Sequence, residues 1–222
     1  TVPQPGLGGR KGYQPRGKVL GGSSSINAMA YIRGHRMDYD EWTSLGNSGW
    51  SYDEVLPYFK RAEDNRRLKD VFHGQGGPLV VSDLQTDNPF QQHYLDAAKQ
   101  VGYPISTDFN GAEQEGVGLY QVTQENGERW SAYRGYIKPH LDTRRNLHVE
   151  TDALTQRILF EGKRAVGVEY RQRGRVMTVR ANKEVILSAG AFQSPQLLML
   201  SGIGDAAELQ KHGIPVVHHL PG

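Results

Sequence analysis

The chain has 222 residues, of which 37% are hydrophobic and 23% are charged, and its net charge at pH 7 is +2. This balance is typical of a soluble globular protein and does not indicate a nucleic-acid partner. The sequence has no cysteine, which excludes disulfides, thiolate metal sites and a cysteine nucleophile, and it has no apolar run near the roughly 18 residues of a membrane span. The composition fits a cytoplasmic location, with peripheral attachment to the inner membrane left open.

The first half of the chain predicts loops and three helices. Residues 1–30 are rich in glycine and serine and have little hydrophobic periodicity, which is typical of a loop with an embedded turn. Helix-start and helix-stop residues place the helices at 38–46, 51–62 and 88–102. Ser51 and Glu54 form a capping-box pattern at the second of these starts. A short strand, Leu79–Val81, follows a turn-rich loop, and the stretch 103–129 is again loop-like.

The second half changes to the periodicity of β-strands after a short helix predicted over 131–141. The alternating or β-branched segments are Leu147–Thr151, Leu154–Phe160, Ala165–Arg171 and Val176–Arg180. The wholly apolar run Val185–Leu187 predicts a strand buried on both faces, and it leads into a helix that we expect to begin at Ser194 and Pro195. A last helix over 205–213 and a strand over 214–217 complete the predicted elements.

The start of the chain is basic. Residues 1–36 contain no Asp or Glu, and their cations are Arg10, Lys11, Arg16, Lys18, Arg33 and Arg36. An anionic partner would be drawn to such a region. Charge alone, however, favours a solvated basic loop.

Within this region, the run Gly21-Gly22-Ser23-Ser24-Ser25 is the first candidate site. Consecutive glycines let the backbone approach a ligand closely and turn several N–H groups toward it. The serine hydroxyls and the side chains of Arg16 and Lys18 would add donors for a pyrophosphate or an electron-rich ring edge. On its own, a Gly/Ser run is more often a flexible loop, and the GxxxxGK[ST] spacing of a P-loop is absent from the sequence.

The second candidate site is the segment Val185–Gly204. A buried strand, a turn of small residues and a helix form the βα unit on which many nucleotide sites are built, and the helix N-terminus offers free N–H groups. Ordinary βα packing, with Gly190 needed only for the turn, explains this segment more simply when it is taken alone.

Together, in this order, the two segments resemble the two signatures of the glucose–methanol–choline (GMC) oxidoreductase family. The first signature continues from the Gly/Ser run through Asn27 to Gly34, and the second corresponds to Val185–Gly204. The motifs between them are also similar: DYDEW at 38–42, GWSYDEVLPYFKRAE at 49–63, FHGQGGPL at 72–79 and NLHVETDALTQRILFEGKRAVGVEY at 146–170. The resemblance spans nearly the whole chain, and within the family it points to bacterial choline dehydrogenases and related primary-alcohol dehydrogenases.

The resemblance implies an α/β (α+β) fold that contains an incomplete FAD-binding domain of GMC type and part of the substrate-binding domain. The implied organisation is a flavin-covering region over 1–82, part of the substrate-binding domain over 83–128 and part of the FAD-binding domain over 129–222. The family's GxGxxG fingerprint is absent from the sequence, and its catalytic histidine would lie beyond residue 222. The chain therefore resembles an internal piece of such an enzyme, and turnover by this piece alone is not expected.

The cofactor-contacting residues that the resemblance implies fall into two groups. In the first signature, the contacts along the flavin are Val19, Leu20, Gly21, Gly22 and Ser23, and those by the isoalloxazine ring are Asn27, Ala28 and Met29. The strand through Leu154 and Thr155 resembles the one that reads adenine through its backbone, and Ala189 and Gly190 would approach the cofactor from the second signature. Some relatives attach FAD covalently through a histidine just before the Asn; Ile26 stands at that position here, which predicts noncovalent FAD.

The activity implied for the whole enzyme is FAD-dependent oxidation of a primary alcohol, choline-like or other, to an aldehyde. The implied partners are a small-molecule alcohol and an electron acceptor, which is a quinone, another acceptor or oxygen. The alternative is a noncatalytic nucleotide-binding module or an inactive stable fragment. An esterase is disfavoured because no GxSxG elbow occurs. The eight histidines show no metal-ligand spacing such as HExxH, which favours structural roles for them.

Overall fold

A computed structural model describes residues 1–221, which form two compact units, Thr1–His148 and the residues from Val149 onward. Both units mix helices and strands, so the α/β class predicted from the sequence is confirmed. None of the helices in the described part of the chain is long and apolar enough to cross a membrane. The fold of each unit is described separately below.

The helices of the first unit are α1 (Arg36–Ser44), α2 (Tyr52–Ala62) and α3 (Phe90–Gln100). The capping box predicted for the second helix is present: the Glu54 carboxylate accepts hydrogen bonds from the backbone N–H (3.1 Å) and the hydroxyl (2.6 Å) of Ser51. The first helix begins earlier than predicted because His35 caps it, accepting from the N–H of Met37 at 3.2 Å. Both starts therefore depend on hydrogen bonds between residues close in sequence.

Short strands of the first unit join segments that are distant in sequence. They are β1 (Glu63–Asn65), β2 (Leu79–Asp83), β3 (Gln121–Val122), β4 (Gln124–Glu125) and β5 (Glu128–Arg129). Strand β2 lies between a parallel β1 and an antiparallel β3, and β4 pairs with β5. Ala30 forms an isolated antiparallel bridge with Val122, which ties the end of the Gly/Ser-rich loop to the sheet. Val80, Val81 and Val122 are buried, so this sheet supplies the core of the unit.

The segment predicted as a helix over 131–141 is helical but not α-helical. It forms a π-helical turn at Tyr133–Ile137 and a 3₁₀ turn at Lys138–His140. A Cβ at Gly135 would lie 2.5 Å from the carbonyl oxygen of Pro78, so only glycine lets this turn lie against the loop before β2. The indole N–H of Trp130 donates to that same oxygen at 2.8 Å. Turns of this kind are rare and occur frequently at functional sites.

The second unit is built on an antiparallel three-stranded meander. Its strands are β6 (Leu154–Glu161), β7 (Arg164–Gln172) and β8 (Arg175–Arg180), paired in the order β6-β7-β8. The remaining elements are α4 (Gly190–Leu200), β9 (Ile203–Gly204), α5 (Ala206–Lys211) and β10 (His218–His219). Strands β9 and β10 pair in parallel. Ile158, Val166, Leu197 and Leu209 are buried and form the apolar core of this unit.

Two of the predicted strands are replaced by other backbone structure. The segment Leu147–Thr151 is not a strand. The carbonyl of Thr151 accepts from the Gln172 side chain at 2.8 Å, where a strand would use a neighbouring backbone N–H. The last strand is His218–His219 instead of 214–217. The N–H of Ile214 closes the end of α5 by donating to the Leu209 carbonyl at 3.0 Å, so the strand can form only later in the chain.

The second signature also differs from its predicted secondary structure. Val185–Leu187 pairs with no strand among residues 1–221, and Ile186 is 79% exposed, so the predicted burial on both faces is wrong. Helix α4 begins at Gly190 and not at Ser194. The Ser194 hydroxyl does act at the helix start, but it accepts the Ala189 N–H from within the helix, at 3.1 Å.

Candidate cofactor site

The Gly/Ser-rich loop of the first unit is shaped by its glycines. Gly21 and Gly22 have φ values of +88° and +55°, and the 3₁₀ turn Gly22–Ser25 follows. A Cβ at Gly17 would lie 2.1 Å from the Gly22 carbonyl oxygen, and one at Gly21 would lie 2.5 Å from the Ser25 hydroxyl. The loop therefore packs backbone against backbone, which side chains larger than hydrogen would prevent.

Two serine hydroxyls of this loop are satisfied internally. Ser24 donates to the Gly21 carbonyl at 2.5 Å, and Ser25 donates to the Leu20 carbonyl at 2.7 Å. The expectation that these hydroxyls serve as donors for a ligand is therefore wrong, because their protons stabilise the turn itself. A ligand at this surface would meet backbone groups and Ser23, whose hydroxyl oxygen accepts from the Gly17 N–H at 3.2 Å.

Residues 27–29 form a second turn in an uncommon conformation. Met29 has a φ of +64°, which few residues other than glycine adopt. Its N–H donates to the Asn27 side-chain oxygen at 3.1 Å, and its carbonyl accepts from the Thr123 N–H at 2.9 Å. The same Asn27 oxygen accepts from Arg129 Nη1 at 2.8 Å. Hydrogen bonds from distant parts of the chain thus hold this turn, as expected where strained backbone persists.

The predicted contact residues of the first unit form an accessible surface. Val19 and Leu20 are 55% and 40% exposed. Asn27 and Ala28 are also exposed, whereas Met29 is half-buried. Apolar side chains beside open backbone suit a flat ring system that carries polar atoms at its edge. A Cβ at Gly22 would meet no atom within 4 Å, so open space lies in front of that residue.

In the second unit, Thr155 and Ala189 line the same cavity, whose volume is about 530 Å³. Leu187 and Leu197 contribute to its wall. Gly190 follows with a φ of +88°, and a Cβ there would meet no atom within 4 Å. The fold of this unit therefore brings the strand through Thr155 next to the second signature.

A buried group of charged residues lies beside β1 in the first unit. Arg33 Nη2 is 2.8 Å from Glu63 Oε2, and the two side chains are 2% and 0% exposed. His73 Nδ1 is 3.1 Å from Glu63 Oε1, and His73 Nε2 is 3.0 Å from Asp108 Oδ2. The N–H of Gly74 donates to Glu63 at 2.8 Å. We call Arg33, Glu63, His73 and Asp108 the buried ion cluster.

The contacts within the buried ion cluster shift two pKa values. Burial raises the pKa of Glu63, but hydrogen bonds from His73 and other neighbours outweigh burial and hold this pKa below its ordinary value. Burial lowers the pKa of His73, but hydrogen bonds to Glu63 and Asp108 outweigh burial and raise this pKa. The two carboxylates therefore favour the imidazolium form of His73, which can donate to one of them from each ring nitrogen.

The free energy of unfolding is expected to fall as the pH rises from neutral values through the folded-state pKa of His73. The imidazole has a pKa of about 6.5 in an unfolded chain and a higher one in this fold. The stabilisation is therefore complete below the unfolded pKa and is lost above the folded one. Urea unfolding at a series of pH values measures this loss. His73→Gln should flatten this part of the profile, and the exposed control His93→Gln should not; equal profiles for the two variants would contradict the assignment.

A second set of side chains, which shares His73 and Asp108 with the buried ion cluster, could be considered as a metal site. Asp70, His73 and Asp108 offer side-chain atoms that lie within 4.8 Å of one another. Asp70 Oδ1, however, accepts from the backbone N–H groups of Phe72 (2.8 Å) and His73 (3.2 Å). Because these polar atoms already satisfy one another, hydrogen bonding explains the group without a metal. This agrees with the hydrogen-bonded structural role expected for the histidines.

The basic start of the chain divides into buried and accessible cations. Arg33 forms a buried ion pair with Glu63 inside the first unit. It is therefore not part of the solvated basic loop that the composition of residues 1–36 favours. Arg36 forms a surface ion pair with Asp53 at 2.9 Å. Arg16 and Lys18 are exposed next to the Gly/Ser-rich loop. An anionic group at that loop would therefore find cations from the loop itself and not from Arg33.

Comparison with known proteins shows to which family the chain belongs. Residues 6–220 match the family model described as GMC oxidoreductase. The chain belongs to the GMC oxidoreductase family. This GMC chain is 52% identical to mitochondrial choline dehydrogenase of Homo sapiens, with 100% of this chain and 37% of the relative covered. It is 49% identical to an alcohol dehydrogenase (acceptor) of Pseudomonas putida, with 100% and 40% covered.

The fold comparison agrees with the sequence comparison. A solved FAD-dependent oxidoreductase from Chaetomium thermophilum matches this GMC chain with a TM-score of 0.91 and 34% identity, covering 100% of this chain and 40% of the other. The chain therefore spans about two fifths of the length of these relatives. The predicted family is confirmed, and so is the prediction that the chain corresponds to part of the family's fold.

The residues present fit the flavin dinucleotide of such GMC proteins. Gly22 and Gly190 both face open space, and both have backbone conformations that favour glycine. The sequence did not reveal Thr123 and Arg129, which hold the turn at Met29. Arg129 lies 102 positions from Asn27, and no local pattern marks a contact over that separation. Only the fold brings these residues to the predicted surface.

Proposed function

We propose that the full-length protein that contains this chain oxidises a primary alcohol to an aldehyde by hydride transfer to FAD. The observation that carries the proposal is the family match over residues 6–220. The exposed loop, with open space in front of Gly22, supports it. The relatives described above are named as choline and alcohol dehydrogenases. These names favour a small primary alcohol as the substrate, with choline among the candidates.

Each unit contains proposed cofactor contacts of its own. The backbone from Val19 to Ser23 and the turn from Asn27 to Met29 lie along the flavin. Thr155 lies at the adenine, and Ala189 and Gly190 approach the cofactor from the second signature. The cavity that Thr155 and Ala189 line is of the size that small-molecule sites have. FAD supplies the hydride acceptor when it is bound. The work of this chain is to bind and orient it, and the base that accepts the alcohol proton is not assigned to a residue of this chain.

Two finer features belong to the same proposal. The organisation is a flavin-covering region over 1–82, part of the substrate-binding domain over 83–128 and part of the FAD-binding domain from 129 onward. The electrons leave to a quinone, another acceptor or oxygen. The family match supports transfer of the electrons to an acceptor without choosing among the acceptors.

Noncovalent attachment of FAD is the first testable consequence. Ile26 is 52% exposed beside the predicted isoalloxazine contacts, and its hydrocarbon side chain offers no atom for a flavin bond. The full-length protein should therefore be yellow as purified or after addition of FAD. Its flavin absorption should remain in the supernatant after acid precipitation. Absorption that stays with the protein pellet would contradict noncovalent binding.

The same preparation tests the cofactor and the activity separately. A protein that neither retains nor takes up FAD would overturn the cofactor assignment. When choline or another primary alcohol is added without oxygen, the flavin absorption should be bleached. FAD binding without bleaching by any alcohol of a broad panel would favour the alternative function, a noncatalytic nucleotide-binding module.

A further inference from the structure

The orientation of the Asn27 carboxamide is fixed by two donors. Its Oδ1 accepts from Arg129 Nη1 at 2.8 Å and from the Met29 N–H at 3.1 Å. An amide side chain has one acceptor end and one donor end, so the Nδ2 group must point away from both partners. Among residues 1–221, Asn27 Nδ2 makes no hydrogen bond, and the residue is exposed. The turn therefore presents an unused N–H₂ donor at its surface.

Arg129 itself is tied to the loop and not to an acid. Its Nη1 also donates to the Ser24 carbonyl at 3.1 Å. Arg129 forms no ion pair within the part of the chain that the structure describes. Arg129 is half-buried as a residue, so water screens its charge only in part. A positive charge without a counterion therefore lies directly behind the Asn27 carboxamide.

The same contacts maintain the uncommon backbone of Met29. A non-glycine residue held at a φ of +64° is strained, and neighbouring structure must compensate for that strain. The Asn27 oxygen binds the Met29 N–H, and Thr123 binds the Met29 carbonyl. Because Arg129 orients Asn27, it also supports the conformation of Met29 indirectly.

We infer that Arg129 is a positioning residue for the flavin. It holds Asn27 so that Nδ2 donates to an acceptor atom at the electron-rich edge of the isoalloxazine ring. The guanidinium charge polarises this carboxamide, so the Nδ2 donor stabilises the electron density that the ring gains on reduction. This inference rests on the proposed function, because it requires that the ring lies against residues 27–29. It adds a residue from β5 to the contacts that the sequence placed on the two signatures and at Thr155.

The test uses the full-length protein loaded with FAD and measures the midpoint potential of the flavin. Arg129→Met and Asn27→Ala should each lower the potential and change the visible spectrum. They should also lower kcat by roughly tenfold or more; loss of one oriented oxyanion-hole donor costs about 100- to 1,000-fold. The double variant should be no more affected than the more affected single variant, since Arg129 acts through Asn27. Arg61→Met, a change at an exposed arginine stacked on Tyr58, is the matched control and should keep the wild-type potential.

A second substitution covers the case in which Arg129→Met fails to fold. Asn27→Asp keeps an acceptor for Arg129 and for the Met29 N–H but removes the Nδ2 donor, so it should also lower the potential. An unchanged potential and spectrum in an FAD-loaded Arg129→Met or Asn27→Asp protein would overturn the inference. Additive effects in the double variant would do the same. A wild-type protein that binds no FAD would instead overturn the proposed function, so the two failures are distinguishable.

Discussion

Replacing Arg33 by methionine should destabilise the protein by about 3–5 kcal/mol, the usual effect of removing one partner of a buried ion pair. Glu63 is fully buried and lies 2.8 Å from Arg33, so the substitution leaves its carboxylate without a cation of permanent charge. Methionine preserves most of the side-chain length, so loss of packing is a small part of the effect. Urea unfolding followed by tryptophan fluorescence and circular dichroism measures the change.

A matched surface substitution separates charge from burial. Arg36→Met removes an exposed partner of Asp53 and should change the free energy of unfolding by no more than about 1 kcal/mol. The double variant Arg33→Met/Glu63→Gln should be more stable than Arg33→Met alone, because a neutral amide costs less to bury than an unpaired carboxylate. If Arg33→Met were as mild as Arg36→Met, the buried ion cluster would not contribute to stability in the way its geometry indicates.

The features that the sequence predicted correctly depend on neighbouring residues. The Ser51 and Glu54 capping box is an interaction within one helical turn. The cap of the last helix is similar, since Asp205 accepts from the Glu208 N–H at 2.9 Å. The meander after residue 153 follows from the strand period and from the turn at Gly162, where φ is +59°. In each case the physical cause lies within a few residues of its effect, so a pattern in the sequence is sufficient.

The features that the sequence did not reveal depend on the tertiary fold. Glu63, His73 and Asp108 stand in three separate segments, and the 35 positions between His73 and Asp108 contain no pattern that joins them. Arg33 was part of a basic region that looked solvated, and only the fold shows that its charge is buried. Burial of charge depends on what packs around it, which local composition does not describe.

The error at Val185–Leu187 has a different physical origin. An apolar run indicates that a segment will be covered, but it does not say what covers it. A strand also needs hydrogen-bonded neighbours, and none of the strands in the described residues pairs with the segment Val185–Leu187. The cofactor contacts proposed in this signature therefore rest on Ala189 and Gly190 at the start of α4 and not on a strand before them.

Replacing Gly17 by alanine should weaken FAD binding while leaving most of the fold intact. The new Cβ would lie 2.1 Å from the Gly22 carbonyl oxygen, so the backbone at residue 17 and the backbone at Gly22 must move apart. Gly17 does not have a positive φ, so steric overlap is the only penalty for alanine. If the loop moves to relieve the overlap in the apoprotein, the overpacking penalty of about 1–3 kcal/mol falls on FAD binding instead of on folding, which corresponds to a roughly 5- to 150-fold higher dissociation constant.

Gly6→Ala provides the control for that experiment, because a Cβ at Gly6 would meet no atom within 4 Å. Fluorescence titration of the full-length apoprotein with FAD gives both dissociation constants, and urea unfolding without FAD gives the stabilities. A Gly17→Ala protein that binds FAD as tightly as the Gly6→Ala protein would place the flavin away from this loop. Weaker binding with equal stability in the absence of FAD would instead tie the cofactor to the backbone around Gly21 and Gly22, since the displaced oxygen belongs to Gly22. The consecutive glycines would then be required twice, once to let Gly17 pass close to Gly22 and once to leave the surface of the loop open to the ring.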